Sequence, residues 1–146
     1  MTEDDDFQLE TFLPYLLNRA AEATSLEFQR LYKDRYGMLR TEWRVLYHLG
    51  RYETLTAKAI CDRAGLHKTK VSRAVAALEK RRFVARDTVA EDRRKERLRL
   101  TPAGQAAFRD LTAEARRYNA RLLANFSSAD RKALNRLLTS LAGDVG

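Results

Sequence analysis

Apolar residues recur at helical spacing through most of this chain and switch once to strict alternation. Leu17, Ala20, Thr24, Phe28 and Leu31 fall three or four apart and predict an amphipathic helix that runs to about Tyr36 and stops at Gly37. Pro14 suits its first turn, where a missing N–H costs nothing. Thr41 offers an N-cap to a second helix, Trp43 to Leu49, with Gly50 as its stop. Thr56 caps a short third helix, Ala57 to Arg63, which Gly65 breaks. A fourth runs from about Lys68 to Arg81 with Val71, Val75 and Leu78 inward. Two short helices joined through Ala64-Gly65-Leu66-His67 have the form of a helix-turn-helix.

The alternation follows directly. In Glu96-Arg97-Leu98-Arg99-Leu100 the leucines share one face and the arginines the other, as in a strand with one wet side. Together with Phe83 to Asp87 it predicts a β-hairpin whose tip holds Glu91 to Lys95, which in this position is a wing. Thr101-Pro102 restarts helix, and Phe108, Leu111, Ala115, Tyr118 and Leu122 approach a heptad seam. Ser127-Ser128-Ala129-Asp130 has capping-box-like spacing and precedes a stripe of Leu134, Leu137, Leu138 and Leu141. The expected fold is mainly α with a small β-hairpin wing, one domain over 1–146. A winged helix-turn-helix module at 41–101 would lie between dimerisation helices at 7–37 and 102–146. Candidate dimerisation residues are Leu17, Phe108, Leu122, Leu134, Leu137, Leu138 and Leu141.

Charge sharpens this picture. The stretch from His67 to Arg99 holds twelve Lys or Arg and five Asp or Glu, so it carries +7 of the chain's net +8. Cations gathered in one segment are an electrostatic footprint for a polyanion, because each neutralised phosphate releases counterions. Other gross features set the expected surroundings. The acidic start, Met1 to Asp6, is unlike the basic opening of a secretory signal. No apolar run reaches the ~20 residues needed to span a bilayer. A lone cysteine, Cys61, excludes an internal disulfide and suits a cytoplasmic protein.

Within the basic segment, Lys68, Thr69, Lys70, Ser72 and Arg73 supply short polar and long cationic groups at the start of the fourth helix, where a recognition helix meets base edges and phosphates. Arg73 has the fork for a bidentate contact to guanine or phosphate, and Thr56 adds a polar group at the preceding helix start. His67 reads as a turn or cap residue. At the wing tip Arg93 and Arg94 are placed to enter a minor groove, with Asp92 near enough to orient one of them.

The ordered runs Thr41-Glu-Trp-Arg-Val-Leu, Cys61-Asp-Arg-Ala-Gly-Leu66, Lys68-Thr-Lys-Val-Ser-Arg73, Leu78-Glu-Lys and Asp92-Arg-Arg94, leading to Leu100-Thr-Pro-Ala-Gly104, resemble the multiple-antibiotic-resistance regulator (MarR) family over nearly the whole chain. The resemblance implies a winged helix-turn-helix homodimer, held by its terminal helices, that binds double-stranded DNA and usually represses nearby genes. It puts Asp92 and Arg94 at the wing's acidic and minor-groove positions, and Lys68 to Arg73 on the DNA-contacting turns. The chain departs from the pattern at Arg82, where the family usually ends the recognition helix with Gly. A left-handed backbone costs a side-chain-bearing residue ~1–2 kcal/mol, so a different turn into the wing is expected.

Many relatives bind small aromatic or anionic molecules between the dimerisation helices and the DNA-reading module. Here Tyr32, Tyr36, Trp43 and Tyr47, with Tyr15, Phe28 and His48 nearby in sequence, are candidate walls of such a pocket, and aromatic packing of the core is the competing use. Cys61 reads as a small buried hydrophobe rather than a thiol sensor, since the sensing relatives carry their cysteine early in the first long helix. His48, His67 and Cys61 lack ligand spacing, so no metal and no cofactor are expected. No nucleophile–base pair or phosphate loop suggests an enzyme. A protein–protein adaptor is the rival use of a winged helix, and it would not need a cationic helix and a cationic wing together. The expected function is therefore a cytoplasmic, sequence-specific DNA-binding repressor acting on a pseudo-palindromic operator, with no membrane partner.

Overall fold

The computed structural model describes residues 6–89 and 92–143, without the side chains of 89 and 92–95. The elements run α1 (Leu13–Tyr36), α2 (Arg40–Tyr52), β1 (Thr54–Thr56), α3 (Ala57–Ala64), α4 (Lys68–Lys80), β2 (Val84–Val89), β3 (Asp92–Leu100), α5 (Pro102–Leu122) and α6 (Ser128–Leu141). The chain divides into two compact units, Met1–Ala113 and Glu114–Gly146.

The core of the first unit gathers the inward positions of the periodic segments. Met38, Val45, Leu46, Leu49, Ile60, Val71, Val75, Leu78, Leu98 and Leu111 are all buried. Removing each such side chain from water contributes roughly 1.5–3 kcal/mol, which is what holds the short α2, α3 and α4 together. Thr56 caps α3 as expected, its hydroxyl accepting from the Ala59 N–H at 3.1 Å. Thr101 does the same for α5 through the Gly104 N–H at 3.1 Å.

The second helix departs from its sequence reading at both ends. Arg40 already lies in α2 and the N-cap is Leu39, so Thr41 is inside the helix rather than its cap. Gly50 does not stop the helix, which continues to Tyr52. Its bare Cα makes room instead. A Cβ there would meet the Phe108 ring at 2.2 Å, so Gly50 is the slot into which α5 sets an aromatic ring. Packing between helices has overridden the local cost of a mid-helix glycine, about 1 kcal/mol.

The wing is a three-stranded antiparallel sheet of order β1-β3-β2, where the sequence pattern showed only two strands. Three residues, Thr54-Leu55-Thr56, are too short to display a period of two, yet they pair with Arg99, Leu98 and Arg97. In the hairpin Val84 faces Leu100 and Arg86 faces Leu98. Directly opposed residues share a face, so Val84, Leu98 and Leu100 form the buried side of the ribbon, and Arg86 continues that side outward. Arg97 and Arg99 are exposed on the other side, as the alternation requires.

Arg82 gives the clearest correction. The turn from α4 into β2 is not rerouted; Arg82 itself takes the left-handed conformation, at φ +64°. Two crossed backbone bonds fix it there. The Arg82 N–H donates to the Glu79 carbonyl and the Phe83 N–H to the Leu78 carbonyl, both at 2.9 Å, which is a Schellman-type helix end. The Thr101 hydroxyl then donates to the Arg82 carbonyl at 2.6 Å.

In the second unit, Ser127 caps α6 by accepting from the Asp130 N–H at 3.1 Å. Leu134, Leu137, Leu138 and Leu141 are 41–55% exposed, so the apolar stripe of α6 is uncovered in a single chain. Ahead of α1, the Phe7 and Phe12 rings meet edge to face at 5.3 Å, and Phe7 is exposed.

Candidate nucleic-acid interface

Recognition by a helix requires one face to be anchored and the other to be free and polar. In α4, Val71, Ala74, Val75 and Leu78 are buried, while Lys68, Thr69, Lys70, Ser72 and Arg73 are all exposed. The expected contact residues therefore share the outer face and first two turns of one helix. His67 sits at the N-cap position without a side-chain capping bond. Thr56 is half-buried and uses its hydroxyl to cap α3. Asp92 begins β3, and Arg93 and Arg94 follow in that strand; their side chains lie outside the described residues, as does Glu91 altogether.

Between α3 and the start of α4 lies a cleft of about 590 Å³ lined by Ala57, Cys61, Leu66, His67, Lys68 and Ser72 among others. Cys61 is half-buried on its wall rather than fully enclosed.

Two groups of polar bonds hold the rear of the module. Arg81, at the end of α4, donates to the Tyr36 carbonyl at the end of α1, so a cation caps exposed carbonyls at a helix C-terminus. On α5, Asp110 accepts from Arg35 with both oxygens at 2.9 Å and from the Tyr36 hydroxyl at 2.6 Å. Burial first, and then the Asp110 carboxylate, push the Tyr36 phenol up to about 12.

The aromatic candidates fall into two places. Tyr32, Trp43 and Tyr47 come together with Phe28 in a chain of ring contacts: Phe28–Trp43 at 5.6 Å, Tyr32–Trp43 at 6.3 Å and Trp43–Tyr47 at 6.1 Å. Tyr32 is buried there and burial pushes its phenol upward, whereas Tyr47 reaches the surface. Tyr36 stands elsewhere, with its ring edge-on to Phe83 at 5.9 Å. Phe108, one of the expected seam residues, packs on Gly50 and Tyr47 of its own chain.

A model of the MarR family matches residues 36–95, which span α2 to the wing. A solved MarR/EmrR family transcriptional regulator from Acinetobacter sp. ADP1 is 27% identical and superposes with a TM-score of 0.83, covering 95% of this chain and 98% of that one. The middle of the chain is thus similar to the MarR family, and its fold is that of a MarR/EmrR family structure. The chain is also similar to YwaE, an HTH-type transcriptional regulator of Bacillus subtilis (strain 168), at 24% identity over 129 residues, 88% of this chain and 75% of YwaE. The fold is shared further with BpsR of Bordetella bronchiseptica, whose DNA binding is regulated by 6-hydroxynicotinic acid (TM-score 0.85, 21% identity, 94% and 97% covered). The proteins matched are transcriptional regulators, and the exposed polar face of α4 lies within the segment that the family model matches. No helix among the described residues is long and apolar enough to cross a membrane.

What sequence reasoning missed is the set of side chains that tie these elements to one another, Arg81 and Arg86 above all. Neither belongs to a local pattern, since each finds its partner on another element.

Proposed function

We propose that this protein is a MarR-type repressor that binds a pseudo-palindromic operator as a homodimer and is released by a small aromatic or anionic effector. The observation that carries this reading is α4 itself: five exposed polar or cationic residues, Lys68, Thr69, Lys70, Ser72 and Arg73, on a helix whose other face is buried. In this reading those residues occupy the major groove, Thr56 lies near the phosphates, and Arg93 and Arg94 reach the adjacent minor groove. Dimerisation follows from the uncovered leucines of α6 and from Leu122, with the half-buried Leu17 of α1 a separate candidate, since an exposed apolar stripe of this kind marks an interaction surface. Pairing would set two recognition helices ~34–36 Å apart, one turn of duplex. The effector part rests on the linked rings of Tyr32, Trp43 and Tyr47, and on the regulation of BpsR by an aromatic acid.

The test is a titrated mobility shift on duplex DNA selected by the wild-type protein from a random library. Arg73→Ala is expected to weaken specific binding by ~1–3 kcal/mol while leaving nonspecific binding nearly unchanged. Equal specific binding by wild type and variant removes Arg73 from the interface, and failure to select any sequence removes the operator reading.

A further inference from the structure

The inward face of the hairpin changes character along its length. Val84, Leu98 and Leu100 press it onto the core, but farther out the same face carries Arg86 and Glu96. Arg86 lies directly across from the buried Leu98, so on β2 the apolar packing of this face ends at Val84. The links that Arg86 makes are polar instead. Its Nε donates to Glu79 Oε1 at 2.8 Å and its Nη2 lies 2.7 Å from the same oxygen. Its Nη1 donates to Glu96 Oε2 at 2.8 Å. Glu79 is on the recognition helix α4, Arg86 on β2 and Glu96 on β3, so one planar group joins all three DNA-reading elements. The two carboxylates hold the guanidinium firmly charged.

We propose that Arg86 is a positioning residue: its guanidinium sets the angle between the recognition helix and the wing, and so lets both reach adjacent grooves of one duplex at once. This rests on the DNA-reading function proposed above. Arg86 does not act as a DNA contact, because all three of its guanidinium nitrogens are turned to Glu79 and Glu96. Nor is its main contribution stability. The three side chains are 32–44% exposed, and ion pairs in such settings add little to folding. The fork geometry is what matters, since a lysine ammonium is a point charge that cannot engage both carboxylates in one plane.

The experiment compares wild type with Arg86→Met, Arg86→Lys and Glu79→Ala on DNA selected by the wild-type protein from a random library. Hydroxyl-radical footprinting reads the flanking minor grooves, guanine-N7 methylation reads the major groove, and thermal melting reads the fold. We expect all three variants to lose flanking minor-groove protection and about tenfold in affinity. Major-groove protection and the melting temperature should stay near wild type. Glu79→Ala discriminates most sharply, because removing an acid from a cationic face tightens binding if charge alone governs, and weakens it if position does. Tighter binding by Glu79→Ala, wild-type footprints for Arg86→Lys, or loss of both footprints together with the melting temperature would each overturn the inference. If the wild type itself protects only the major groove, the wing reading fails and takes this inference with it; flanking protection retained by Arg86→Met removes the inference alone.

Discussion

Replacing Arg82 with glycine should make the protein more stable, although it deletes a whole side chain. Arg82 lies at φ +64°, where its Cβ crowds the carbonyl, at a cost of about 1–2 kcal/mol for a residue other than glycine. Glycine removes that cost but gives the unfolded chain more freedom, which returns about 0.4–1 kcal/mol. Every bond that fixes the turn is made by backbone atoms of residue 82 or by its neighbours: its N–H to Glu79, the Phe83 N–H to Leu78 and the Thr101 hydroxyl to its carbonyl. All survive the substitution. The balance is a gain of roughly 0.5–1 kcal/mol, or about 2–4 °C in Tm for a chain of this size. Arg82→Ala is the control, since it deletes the same charge while keeping the left-handed strain. Melts should be run at equal protomer concentration, because a self-associating protein gains stability by mass action. A glycine variant no more stable than the alanine variant would refute the strain argument.

Gly104→Ala should have the opposite effect. A Cβ at Gly104 would lie 2.1 Å from the Phe83 carbonyl oxygen, a backbone atom that cannot swing aside, so a loss of about 2–3 kcal/mol is expected by urea denaturation. Alkaline pH should destabilise the fold through Tyr36. Its folded phenol titrates at about 12 against an unfolded 10.0, so its contribution is intact below pH 10 and declines as pH rises from 10 to 12. Tyr36→Phe should flatten that part of a stability–pH curve, and an unchanged slope would show that Tyr36 does not titrate there. Replacing Leu137 and Leu138 by glutamate should yield monomer or aggregate by light scattering, while a persisting dimer would move the interface away from α6.

Much of the fold was legible because its helices carry their own boundary chemistry. Periodicity located α1 and α4, and Thr56, Thr101 and Ser127 signalled helix starts through side chains that cap in the structure. The misreadings share one cause, which is that the deciding partner lies far along the chain. Gly50 reads as a stop until Phe108 arrives beside it, and Thr54 to Thr56 shows no strand pattern until β3 pairs with it. Arg82 reads as unfit for a left-handed turn until Thr101 and the end of α4 hold it in one. The outward face of α4 was legible because amphipathicity divides a helix into two sides without outside help. The links from Arg86 to Glu79 and Glu96, and from Arg81 to Tyr36, could not be read, since long flexible side chains choose among many carboxylates and carbonyls.

The short strand β1 grips only Arg97 to Arg99 of its neighbour, leaving the outer part of β3 paired with β2 alone. Reach and fold are thereby separated: the root of the hairpin is stitched into the body, and beyond it β3 pairs with β2 alone, regularly as far as Thr88 and with a register shift between Thr88 and Val89. Adding one residue pair to each strand would extend that ladder by roughly 7 Å and return every side chain to its original face. Evolution or an engineer can in this way vary the reach of the hairpin without revisiting the hydrophobic interior.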